Sequence, residues 1–151
     1  MPRIGSALLP LLLAAACEGF DLGAPAGDTL PAGTWGGENA GMIVSDTDAH
    51  VHIGCTLGDA PAPIQLDAAG RFDVPGRYNL TAYPVDRGIL LPARFTGQAG
   101  IRGLVLTVTV TDTVRDTTVV LGPVQLEYGK EPRMGPCPIC RRPAAPRPVA
   151  P

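Results

Sequence analysis

The run Leu104-Val105-Leu106-Thr107-Val108-Thr109-Val110-Thr111 constrains the fold most, because its side chains alternate with a period of two. Successive side chains of a β-strand point to opposite faces. Leu104, Leu106, Val108 and Val110 therefore make a buried row, and Thr107, Thr109 and Thr111 a wetter row that still favours β structure. No stretch of ten or more residues in the remaining body has a helical period.

Other segments repeat the pattern. Gly33-Thr34-Trp35-Gly36-Gly37 carries the chain's one tryptophan. Gly41 to Ser45 is joined through Asp46-Thr47-Asp48 to Ala49 to Cys55, where Val51, Ile53 and Cys55 share one face and His50, His52 and Gly54 the other. Ile64 to Leu66 leads into the tight turn Asp67-Ala68-Ala69-Gly70. From Arg71 to Leu80, Phe72, Val74, Tyr78 and Leu80 face one way, and Arg71, Asp73, Arg77 and Asn79 the other. Pro75-Gly76 in its middle predicts an edge position or a bulge. Ala93 to Gly97 turns at Gln98 to Gly103 into the Leu104 strand. Asp112 to Asp116 turns the chain again, and Thr117 to Tyr128 returns it. Seven or eight short strands joined mostly by hairpins predict an all-β antiparallel meander, closed as a small barrel or a sandwich. The β domain is expected over residues 33–129.

The flanks read differently. Arg3 precedes the short apolar run Ile4 to Ala16, which is about 13 residues where a spanning helix needs roughly 20. Small residues and then Cys17 follow, so residues 1–16 resemble a bacterial lipoprotein export signal with Cys17 as the lipidated first residue. Ala14 stands where that signal usually has leucine, and cleavage after Ala14-Ala15-Ala16 by the ordinary signal peptidase is the alternative. Glu18 after the cysteine resembles outer-membrane sorting. Residues 17–32 are polar, bear Pro and Gly, and are expected to be a flexible tether. Residues 130–151 hold seven prolines and five basic residues and are expected to be a disordered tail.

Removal of the signal leaves room for one domain. The core is thin, with aromatic residues at 5%, so a covalent staple would help. A net charge of −2 supplies no global field for nucleic acid. In an oxidising envelope, Cys55 is expected to pair with Cys137 or Cys140. Cys137-Pro138-Ile139-Cys140 is a single zinc-knuckle half, and completion by Cys55 with His50 or His52 is the weaker alternative. His50 and His52, at i and i+2, could bind copper or zinc, but the plain reading is two solvent-facing polar residues, so no metal is expected. Ser45 has no nucleophile elbow, no phosphate-binding glycine motif occurs, and Asp46-Thr47-Asp48 lacks the rest of a calcium loop. No catalytic set and no cofactor are expected.

Trp35-Gly36-Gly37, Cys55, Phe72-x-x-x-Gly76-x-Tyr78, Arg94-Phe95-x-Gly97, Leu106-Thr107-Val108-Thr109 and a late cysteine together resemble a group of small exported bacterial β proteins of unknown activity. The departures are Phe95 in place of tyrosine and two late cysteines instead of one. The resemblance implies the fold and a bridge from Cys55 to the tail. Gly33-Thr34-Trp35 is also similar to the start of lipocalin and avidin barrels, whose tryptophan plugs one end. The expectation is a non-enzymatic lipoprotein of the cell envelope, at the outer membrane, periplasmic or secreted. It would be held to the membrane by its lipid and serve structure or contact with an envelope protein. The alternative is a small-molecule carrier of the lipocalin type.

Overall fold

The computed structural model describes residues 20–81 and 88–137. Among them run eight strands: β1 (Gly33–Gly37), β2 (Ala40–Val44), β3 (Asp48–Ile53), β4 (Thr56–Pro61), β5 (Arg71–Asn79), β6 (Leu91–Ala99), β7 (Gly103–Asp112) and β8 (Thr117–Tyr128). Each pairs antiparallel with the next, and β8 pairs back with β1, so the sheet closes as a barrel in meander order. The all-β expectation holds, and the barrel is the form it takes. Closure is narrow, since β1 meets β8 only through Trp35↔Tyr128 and Gly36↔Glu127.

Short polar side chains fix the hairpins. The Asp67 carboxylate accepts hydrogen bonds from the backbone of Ala69 at 2.9 Å and Arg71 at 2.8 Å, while Gly70 supplies a φ of +75°. Asp112 does the same at the β7–β8 turn, accepting from the backbone of Val114 and Arg115.

The alternation places the core as the sequence predicts. Leu104, Leu106, Val108 and Val110 are buried, as are Val51, Phe72 and Tyr78. Two inward glycines decide how full the barrel is. A Cβ at Gly76 would lie 2.6 Å from the Phe95 ring, and one at Gly97 would lie 2.8 Å from the Phe72 ring. The room these glycines leave is therefore taken by aromatic side chains.

Of the two expected alternatives, Pro75 takes the edge position, and no bulge forms there. β5 stays in continuous register with β6 from Arg71↔Gln98 to Tyr78↔Leu91. Its pairing with β4 spans only Arg77 to Asn79, so Pro75 sits where one neighbour is already absent. The register shift falls instead between Leu106 and Val108, opposite Gly122 and Pro123 of β8. Asn79, expected on the wet face, is buried because its amide oxygen organises the next turn, accepting from the Thr81 backbone at 2.9 Å.

Both flanks differ from expectation. From Phe20 onward the expected tether is docked. Leu30 is buried, its backbone N–H donates to Ile64 at 2.9 Å, and Ile101 donates to Ala24 at 2.8 Å. Trp35 lies fully buried, and its indole N–H donates to the Pro31 carbonyl at 3.2 Å. Leu30 and Ile64 cover the apolar base of the barrel, and that burial outweighs the local Pro and Gly content. The start of the expected tail is likewise ordered. Residues 130–137 run as a strap along the outside of β1, with Arg133 donating to Gly37 at 3.0 Å and Asn39 donating to Arg133 at 2.8 Å. The signal 1–16, Cys17 and Cys140 lie outside the described residues.

Candidate functional site

A pocket of about 200 Å3 opens on the outer wall where β2 and β3 meet the strap, lined by Gly41, Ile43, His50, His52, Pro132 and Met134 among others. The strand register builds it. His50 stands opposite Asp59 of β4, and His52 stands opposite Gly41 of β2. Gly41 has no side chain, and a Cβ there would lie 2.6 Å from the Pro132 ring. The missing side chain is what lets the strap lie close, and Met134 follows two residues after Pro132.

The two imidazoles face outward, as the alternation predicts, but they are half-buried rather than freely solvated. His50 Nδ1 is 2.5 Å from an Asp59 carboxylate oxygen, and His50 Nε2 is 2.9 Å from His52 Nε2. Burial, and next the neighbouring His50, hold the His52 imidazole below its ordinary value, with Asp59 pulling weakly the other way. A neutral imidazole keeps a lone pair for a ligand or a hydrogen bond.

The strap has a covalent lock. Cys55, at the β3–β4 turn, is bonded to Cys137, with Cα atoms 5.5 Å apart. Of the two partners the sequence leaves open for Cys55, the bond is to Cys137. It also removes both sulfurs from any zinc set. Among the described residues, no group of three or more His, Cys, Asp or Glu side chains is placed to hold a metal ion.

The remaining sequence candidates resolve as turn or surface groups. The Ser45 hydroxyl bonds to Thr47 and Asp48 within its own turn, and the Asp48 carboxyl is held low first by Ser45 and then by Thr47. Asp73 is engaged by Arg94 at 2.8 Å. A wider groove of about 500 Å3 runs between the strap, Phe20 and the outer side of β8, and four of its charged groups are engaged in the ion pairs Lys130–Glu127 and Arg133–Glu38.

Sequence reading missed Asp59 and Met134. Asp59 is found once β3 and β4 are set in register around Gly54-Cys55. Met134 had no such signal, because the disulfide, the backbone hydrogen bonds at Arg133 and the Gly41 notch together make its segment part of the domain. No protein-family model, curated protein or solved structure matches the chain, so the likeness to small exported β proteins rests on the motifs themselves.

Proposed function

We propose that the chain is an exported lipoprotein of the bacterial cell envelope, anchored through Cys17, whose barrel is a non-enzymatic module for structure or protein contact. The observation that carries this reading is the Cys55–Cys137 bond, which closes 82 residues of sequence and belongs to an oxidising compartment. The docked segment beginning at Phe20 supports the anchor. It leaves two residues between Cys17 and the docked Phe20, so a lipid there would hold the barrel close to the membrane surface.

A protein-contact role has support in β8. Its residues Thr117–Val124 pair with β7 alone, because β1 reaches only Glu127 and Tyr128. An unpaired strand edge is a template for an added strand, and Val120 on it is exposed. The lipocalin-type carrier needs an internal cavity of several hundred Å3. Phe72 and Phe95 occupy the space beside the inward glycines, which favours the contact module over the carrier.

Cell fractionation tests the proposal. The chain should sediment with envelope membranes, and blocking the lipoprotein signal peptidase should accumulate the full-length precursor. A soluble cytosolic chain of unchanged mass would overturn it.

A further inference from the structure

We propose that His50, His52 and Met134 form a binding site for monovalent copper on the outer wall of the barrel. The two Nε2 atoms already converge at 2.9 Å. An ion bonded to each at about 2.0–2.1 Å, the usual span for imidazole on a first-row metal, would see them at roughly 90°. That angle is within reach of small side-chain rotations.

The tautomers suit the site. With His50 Nδ1–H donating to the Asp59 carboxylate, the Nε2 of a neutral His50 is bare, and His52 Nε2–H donates to it. Copper would take the place of that shared proton, and His52 would carry its proton on Nδ1 instead, so no charge other than the ion's enters the site. A carboxylate behind a ligating imidazole fixes the ring and raises its basicity, which is the role Asp59 plays here.

The third donor sets the choice of metal. Met134 lines the same pocket as both imidazoles. A thioether is soft and favours Cu(I), while calcium and magnesium want oxygen donors. The rest of the wall, from Ile43 and Pro132, is apolar. The strap that carries Met134 is fastened at Arg133 and at Cys137, so the sulfur is presented without ordering a loose segment.

The chain has only two histidines, so their NMR signals report this site alone. The test uses the full chain carrying Cys17→Ser and Cys140→Ser, which removes both thiols outside the Cys55–Cys137 bond, titrated anaerobically with Cu(I) and no thiol reductant. At one equivalent, the Nε2 signals of both histidines and the Met134 methyl signal should move together. With affinity read by competition against a chromogenic chelator, Asp59→Asn should weaken binding about 10–100-fold. His52→Ala should weaken it more, and Met134→Leu should weaken Cu(I) while sparing Zn(II). Amide spectra of the variants confirm that each is folded. Histidine signals that stay fixed in excess Cu(I), histidines that move without the Met134 methyl, or an unchanged Cu(I) affinity in Met134→Leu would overturn the proposal.

Discussion

Cys137 is bonded to Cys55 across 82 residues, and the link fastens the end of a proline-bearing strap to the outside of the barrel. The strap reaches that bond by passing over Gly36 and Gly41, the two outward positions on β1 and β2 where a side chain would block it.

The bond should dominate stability in so small a domain. Closing a loop of this length restricts the unfolded chain, so Cys137→Ser should lower unfolding stability by about 4 kcal/mol. Urea denaturation followed by Trp35 fluorescence measures it.

Gly36→Ala should show that the strap, and not β1 itself, is what the glycine serves. A Cβ there would collide with the strap backbone at Lys130 and Glu131. The substitution should cost about 1–3 kcal/mol, as overpacking does. In the Cys137→Ser background the cost should shrink by more than about 0.5 kcal/mol, because the strap can move away. Equal costs in both backgrounds would mean that the strap does not press on β1.

The interior and the β8 edge should respond oppositely to truncation. Phe95 is buried beside Gly76, so Phe95→Ala should cost about 3–5 kcal/mol. Val120 is exposed on β8, and Val120→Ala should stay within about 0.5 kcal/mol. Denaturation midpoints compare the two.

Stability should fall on mild acidification. The folded chain holds the His52 imidazole below its ordinary value, so the unfolded chain takes up the proton first as pH drops. Stability is full above about pH 7, declines as pH falls through about 6.5, and levels once the folded form also protonates. His52→Gln should reduce this slope in thermal melts between pH 8 and pH 5. The depressed Asp67 and Asp112 carboxyls, held first by hydrogen bonds from the Arg71 and Arg115 backbones respectively, add a separate loss below about pH 4.

The strands were legible in the sequence because each has one wet and one dry face. Leu104 to Thr111 and Arg71 to Tyr78 declare their inward residues by alternation alone. The flanks were not legible, because composition near Leu30 and Pro132 describes the free chain and not the surface waiting for it. Leu30 lies in a Pro- and Gly-bearing stretch with no period, yet its side chain is buried together with Ile64. The site was half legible. His50 and His52 at i and i+2 had to share a face, but their half-burial and the approach of Met134 depend on the empty position at Gly41. A glycine in a strand reads locally as weakness, and its use here lies in a segment some ninety residues away.

Mass spectrometry of the mature chain purified from envelope membranes bears most directly on the proposed anchored, oxidised barrel. The account predicts a chain that begins at Cys17, carries acyl groups on it, and yields a peptide pair joining Cys55 to Cys137. An unacylated chain retaining Met1, with Cys55 and Cys137 as free thiols, would contradict it.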